Sequence, residues 1–398
     1  MATTPGQLAH GWDELAYVMP ETVFGTLEDV AGTGGFEFLS IDMGPVETAE
    51  HRDLRYKNGK RLADGVLTGK ISPIDFTVRG LLMPSGAAGV APDMGPLFEN
   101  GFGTETVVGG TSVTYTFSDK PTAGISIVRG DGDLNWAEYG YGGVVQRILI
   151  EAGEEEAEVE FTGQFLGKSS VAACTTNVGV QLSAIATTIQ LADGEQYKFI
   201  GVGQIVQDPA ETGEQMLVTA VDYSTGIITV IRGHIGAATT HENGFTLQPY
   251  LPAQSLAAGT APIGEHDGSY TLHGISVNPL KYSFEVQTGR RYRSFEKGSQ
   301  RRRNVIAGRP DNPPTGTITL YADQVMLPLL GRANQAASST LAFVEGTTAG
   351  LIMTINGGTT YLDVANIPLP DDDVGMFDVP VKFLDWDNAT KPLNIVFT

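Results

Sequence analysis

Cysteine is nearly absent. The 398-residue chain holds one, Cys174, so no intrachain disulfide can form and the fold must hold by packing or by assembly. Its neighbours Ala173 and Thr175 offer no base to make a thiolate, which leaves a structural thiol rather than a nucleophile. Tryptophan is scarce, at three residues, which weighs against aromatic sugar platforms. No stretch approaches about 18 consecutive apolar residues, so no membrane-spanning helix is expected. The opening Met1-Ala2-Thr3-Thr4-Pro5 lacks a basic segment followed by an apolar run, so a secretory signal is not expected. The six histidines (His10, His51, His234, His241, His266, His273) never stand in a metal-ligand spacing with a Glu between them. His234 and His241 sit in a Gly- and Thr-rich stretch, where surface positions are the default. No Gly-rich loop carries the Lys that a phosphate cradle needs.

What is abundant is glycine, at 50 residues, set between short alternating runs rich in Val, Ile and Thr. That pattern reads as a β-rich chain with many turns. Net charge is −21, but it is unevenly placed. Two short segments hold twelve of the twenty-five Lys and Arg residues: Arg52, Arg55, Lys57, Lys60 and Arg61 in the first, Arg290, Arg291, Arg293, Lys297, Arg301, Arg302 and Arg303 in the second. The remainder is an acidic body, which repels nucleic-acid phosphates and argues against ordinary DNA or RNA binding. The basic arms themselves have three readings: solvated hairpin tips, a phosphate grip with Tyr56, Tyr292 and Phe295 as stacking partners, or contacts to an acidic neighbour.

Candidate chemistry is thin. Asp131-Gly132-Asp133-Leu134-Asn135 opens like a calcium loop, but Trp136 stands where Gly belongs and Gly142 where Glu belongs, so a turn is expected. Asp371-Asp372-Asp373 reads as a solvated turn, and the tripeptide Arg129-Gly130-Asp131 as chance. No catalytic pair, cofactor site or metal site is assigned. One acidic feature stands out: in 154–161, period-two geometry puts Glu154, Glu156, Glu158 and Glu160 on one strand face and Ala157, Val159 and Phe161 on the other. Four like charges on one face must be wet or met by cations. That face is a solvent face, a wall that a polyanion does not stick to, or a dock for a basic arm.

The chain also reads as built twice, between 34–170 and 270–398. Each copy opens on an alternating strand (Gly35 to Asp42; Tyr270 to Val277), enters a basic arm, and continues in a strand (Asp75 to Arg79; Thr315 to Leu320). A short apolar helix signal follows (Gly95 to Asn100; Gln324 to Leu330), and both copies close on β-rich segments. Residues 1–33 read as an irregular arm with a helical turn at Trp12 to Val18. Residues 171–252 read as a small antiparallel β domain of their own, removable without loss of the rest, and 253–269, rich in Ala, Gly and Pro, as its exit linker.

Several stretches carry a family resemblance: Pro20 to Thr26, Ala91 to Gly103, Val113 to Phe117 and Gly308 to Tyr321. In this order they resemble the tail tube (major tail) proteins of long, non-contractile bacteriophage tails. The resemblance covers about three quarters of the chain, through both copies. It implies a mainly β fold: two tandem β-sandwich tube domains, each with a short flanking helix, closing into a β-barrel ring on oligomerisation, with 171–252 as an inserted small β domain outside the ring. It implies no enzyme but a structural virion protein, assembled in the host cytoplasm and located in the virion tail. Its partners would be itself, as a trimeric ring with pseudo-sixfold symmetry in a stack of rings, and other tail proteins (tape measure, terminator, tail tip). DNA would pass through a negatively charged channel without specific binding, and no membrane is involved. Under this reading the arms reach an acidic surface of the adjacent ring. The runner-up classes are an exported β-rich adhesin or carbohydrate-binding protein, and a β-rich hydrolase.

Overall fold

A computed structural model of the chain describes residues 14–45, 49–54, 65–71, 73–117, 124–131, 135–153, 156–177, 181–192, 200–211, 213–257, 263, 268–292, 305–306, 313–321, 329, 341–363, 375–384 and 393–398. The elements run in three groups. The first comprises β1 (Glu14–Pro20), β2 (Ser40–Met43), β3 (Ala49–Leu54), β4 (Gly65–Ile71), β5 (Ile74–Leu81), helix α1 (Gly95–Phe102), β6 (Gly103–Val108), β7 (Ser112–Phe117), β8 (Ile125–Asp131), β9 (Trp136–Ala152), β10 (Glu158–Phe165) and β11 (Gly167–Ala172). The second comprises β12 (Cys174–Thr175), β13 (Thr188–Gln190), β14 (Ile205–Gln207), β15 (Glu214–Asp222), β16 (Ile227–Gly236) and β17 (Thr246–Pro249). The third comprises β18 (Gly268–Leu272), β19 (Ile275–Val277), β20 (Pro279–Gln287), β21 (Arg291–Tyr292), β22 (Val305–Ile306), β23 (Thr315–Tyr321), β24 (Leu341–Glu345), β25 (Met353–Gly357), β26 (Thr359–Leu362), β27 (Met376–Leu384) and β28 (Leu393–Phe397).

The largest sheet joins the two ends of the chain. Its main path is β2-β5-β10-β9-β20-β23-β27-β26, with antiparallel pairing at the central junction of β9 and β20. Numbered within its own half, each block of four strands runs first, second, fourth, third. The two blocks therefore share one topology. Both basic segments fall between the first and second strands of their block, as the hairpins β3–β4 and β21–β22. The expected correspondence of Gly35–Asp42 with Tyr270–Val277 does not hold. Tyr270–Val277 forms the hairpin β18–β19 in a different sheet, and β20 takes the place that β2 has in the first block.

Strict alternation explains the layering. In β5, Ile74, Phe76 and Val78 are buried while Asp75 and Arg79 are exposed, and β10, β20 and β27 follow the same rhythm. Their apolar faces pack against a seven-stranded sheet, β19-β18-β24-β25-β28-β7-β6. This second sheet is also shared, since β28 from the chain's end pairs with β7 from its first third. Helix α1 starts with Pro96 in its first turn, where a missing N–H costs nothing, and stops at Gly103 with φ 97°. Its Phe98 meets Phe161 of the first sheet edge-on at 4.9 Å and Tyr115 and Phe397 of the second at 5.4 and 5.7 Å, so one ring ties both layers. The helix signal in Gln324 to Leu330 lies, apart from Leu329, outside the described residues.

The 17-residue β9 crosses between two cores. Its first half pairs with β8 and β11, its second with β10 and β20. The crossing point needs glycine: Gly142 has φ 64°, and a Cβ on Gly140 would lie 2.5 Å from the Phe165 ring. The segment 171–252 does form its own sheet, β12-β17-β14-β15-β16-β13. Its core is not separate, however. Met216, Val218 and Ile228 pack in one cluster with Tyr17 and Met19 of β1, Val128 of β8 and Tyr139 of β9. The expected helical turn at Trp12 to Val18 is accordingly not found in its described part, Glu14 to Val18. From Glu14 on the chain is β1, paired along its whole length with β8, because that ladder and the shared core outweigh any local helical preference. Where it is described, the stretch after the segment is held to the first group: the Gln254 amide donates to Ala16 O, Ser255 N to Gly32 O, and Ile263 is buried between Leu82 and Ala157 backbones.

Candidate functional site

The polar face of the eight-strand path is an extended charged surface. It presents Asp42, Asp75, Glu151, Glu158, Glu160, Glu285 and Asp378 against Arg79, Arg147, Lys281 and Lys382. The expected one-sided carboxylate row is present where it is described: Glu158 and Glu160 share the outer face of β10, with Ala157, Val159 and Phe161 buried behind them. Glu156 is exposed just before the strand, and Glu154 lies outside the described residues. The repulsion is relieved by arginines on neighbouring strands. Arg79 Nη2 is 2.6 Å from Glu158. Arg147 gives Nη1 to Glu160 at 2.8 Å and Nε to Glu285 at 3.0 Å, linking the first block to the second across their junction.

The register places different features on opposite rims of this sheet. Both arm hairpins leave from one rim, where β2 and β20 end and β5 and β23 begin. At the other rim an open groove of about 630 Å³ lies over the β9–β20–β23 junction, lined by Glu151, Glu156, Glu158, Lys281 and Asp378, with Thr319 donating to Asp378 at 2.6 Å. Of the arm residues, Arg52 lies in β3 and Arg291 in β21; Arg55, Lys57, Lys60, Arg61, Arg293, Lys297, Arg301, Arg302 and Arg303 fall outside the described residues. Arg290 does not belong with them. It is 6% exposed, beside Glu99 and Asn100 of α1, and burial lowers its guanidinium to about 9 against the upward pull of Glu99. A side chain enclosed at the root of the arm cannot reach a neighbour. The adjacent Tyr292 is buried too, its hydroxyl donating to Gly142 O, which removes it from any exposed stacking platform.

The sheet path ends on β2 and β26, each four residues long and each with one pairing neighbour among the described residues. Near the first edge, the Pro20 to Thr26 motif is anchored by Glu21. Its buried carboxylate accepts from Gly25 N at 2.7 Å, Gly142 N at 2.6 Å and Ser126 Oγ at 3.0 Å. Burial raises this carboxyl above its ordinary range, and the three hydrogen bonds oppose the rise.

The segment 171–252 holds a second cluster, which the sequence reading missed. His241, expected at the surface, is fully buried, with Asp208 and Glu214 on its two ring nitrogens. Glu214 also receives Arg232 through Nε at 2.7 Å and Nη2 at 2.8 Å, and the amides of Gly233 and Thr239, each at 2.8 Å. Burial pushes the Glu214 carboxyl up, but these donors outweigh it and hold it at about 2. His234 is partly exposed and meets Asp29 at 2.6 Å. Nothing in the local sequence around His241 distinguishes it, because its partners come from 27 and 33 residues away. Burial drives the Cys174 thiol to about 12, which suits a packing role. Among the described residues no group of three or more His, Cys, Asp or Glu is arranged to hold a metal, and no helix is long and apolar enough to cross a membrane. Of the calcium-like stretch only Asp131 and Asn135 are described, at the end of β8 and just before β9; Asp371, Asp372 and Asp373 lie outside the described residues. No family model and no curated protein sequence matches this chain.

Proposed function

We propose that this chain is a structural protein that polymerises into a tube, three chains to a ring and ring upon ring, as the tail tube of a long phage tail. The observation that carries the reading is the eight-strand path: two blocks of identical strand order, side by side, ending on two short strands with no further strand beside them among the described residues, β2 having its outward Ile41 and Met43 carbonyls covered only by the Arg129 and Lys168 side chains. An unpaired edge is a template for another strand, and closing a sheet on itself removes it. The third strand of the first block already pairs with the first strand of the second, β9 with β20. Repeating that junction between chains would pair β26 with β2 of the next copy and close three chains with six blocks.

The polar face supports a channel for DNA. Seven carboxylates against four cations make a wall that phosphates do not adhere to. The two rims support stacking: basic hairpins on one and an acidic groove on the other favour head-to-tail order, because like rims repel. Each exposed ion pair is worth only about 0–1 kcal/mol, but six arms act together. Residues 171–252, which pack on β1 and β8 rather than on the polar face, would decorate the outside.

Negative-stain images of the purified protein test this. Rings or tubes are expected, with native mass spectrometry giving multiples of three chains. Protein that stays monomeric at all concentrations overturns the reading, and rings of six chains overturn the fused-block geometry. Reversing Arg301, Arg302 and Arg303 to Glu is expected to leave rings that no longer stack.

A further inference from the structure

The tube reading makes no use of the charged cluster inside the inserted sheet, and its hydrogen-bond geometry sets a proton count. His241 Nδ1 lies 2.9 Å from Asp208 Oδ2, and Nε2 lies 3.0 Å from Glu214 Oε2. All three side chains are sealed from solvent, at 0%, 2% and 0% exposure. A neutral imidazole carries a single N–H, and an ionised carboxylate only accepts. A neutral ring would therefore aim a lone pair at a carboxylate oxygen across one of these contacts, with no water to intervene.

The surrounding groups narrow the choice. Glu214 is ionised, since every other contact it makes is to a donor: Arg232 Nε and Nη2, and the amides of Gly233 and Thr239. Asp208 takes the amide of Ala210 on Oδ1, which leaves Oδ2 to the ring. The ring face stacks on Phe245 at 4.8 Å, and the His241 amide donates to Leu182 O. Asp208, Glu214 and Arg232 together leave one negative charge in a buried site. A proton on the ring cancels it, as would a proton on Asp208 Oδ2 beside a neutral ring; imidazole is ordinarily the more basic of the two groups, which favours the ring. The ring is enclosed on all sides, which rules out a role as an exposed acid–base catalyst.

We infer that His241 stands in the folded protein as an imidazolium between Asp208 and Glu214, and that this extra proton locks the 237–241 loop onto the inserted sheet as a latch. Arg232 extends the latch to the other side of the loop, donating to Ser183 O, Ala186 O and Thr239 O. His234 on Asp29 is the partly exposed companion, tying the end of β16 to the N-terminal segment.

Magic-angle-spinning nitrogen spectra of histidine-labelled full-length protein at pH 7 test this, assembled or not. His241 is assigned by its loss in His241→Gln. Two protonated ring nitrogens are expected, and a ring with one bare nitrogen overturns the proposal. Asp208→Asn gives a second test that does not depend on His241→Gln folding. Its amide can keep the Ala210 contact through oxygen and donate to Nδ1, which satisfies a neutral ring. The variant should show one bare nitrogen. An imidazolium that persists in Asp208→Asn overturns it as well.

Discussion

The eight-strand path and the inserted sheet handle charge in opposite ways. On the path, carboxylates and arginines stand on an open face, as with Arg147, Glu160 and Glu285, each about a third exposed. In the insert, Glu214, Asp208 and His241 are fully enclosed and reach one another through the core. Solvent screens the first kind of pair and leaves it nearly free to rearrange. Enclosure makes the second kind obligatory, because removing one partner strands a charge. An assembling surface needs the first kind, whose partners can be exchanged for those of a neighbour. A loop that must keep one shape needs the second.

The largest effect should come from removing 171–252 and joining 170 to 253 with a short Gly/Ser linker. If the insert were a separate domain, the remainder would fold unchanged. Its core is shared, so the deletion uncovers Tyr17, Val128 and Tyr139, each worth on the order of 1.5–3 kcal/mol of burial. Loss of soluble folded protein by near-ultraviolet circular dichroism is expected; a native-like spectrum would show that the two cores are independent after all. Next come single substitutions in each region. Arg232→Met should cost about 3–5 kcal/mol in chemical denaturation by stranding Glu214. Phe98→Ala, which unties the two layers beside the path, should cost a similar ~3–5 kcal/mol.

Acid sharpens the contrast further. The Glu214 carboxyl, ordinarily near 4.5, is held at about 2 in the fold. A depressed carboxyl stabilises above its unfolded value, and that contribution is lost as pH falls from about 4.5 toward 2. Melting curves of wild type and Glu214→Gln should therefore converge over that window. Parallel curves would mean the donors around Glu214 contribute little. The smallest effect is expected on the open face: Arg147→Gln should change stability by about 0–1 kcal/mol, because solvent screens its pairs. A loss above about 2 kcal/mol would place this pair with the buried network instead.

Much of the local structure was legible. Alternation in Asp75 to Arg79, in Glu158 to Phe161 and in Ile227 to Gly233 marks strands with one buried face, and all three stretches are strands. The helix at Gly95 was signalled by the short apolar run from Gly95 to Asn100. Trp12 to Val18 misled because a mixed apolar stretch has no local mark of the strand that will pair with it. Arg290 and Tyr292 misled for a related reason: a basic run looks exposed, yet its first residues are drawn under α1 and against Gly142. His241 carried no signal at all, since Asp208 and Glu214 approach it only through the sheet.

Period-two patterning, turn glycines and the placement of the basic runs belong to the chain itself, because they depend on residues a few positions apart. Those properties determined that the protein is rich in short strands joined by turns and that its basic residues gather in two arms. Which strands neighbour one another was decided by the tertiary structure. Only there does β28 join β7, β9 join β20, and the core of the insert merge with that of β1. Such contacts span a hundred residues or more, and their free energy comes from burying surfaces that no short window of sequence contains.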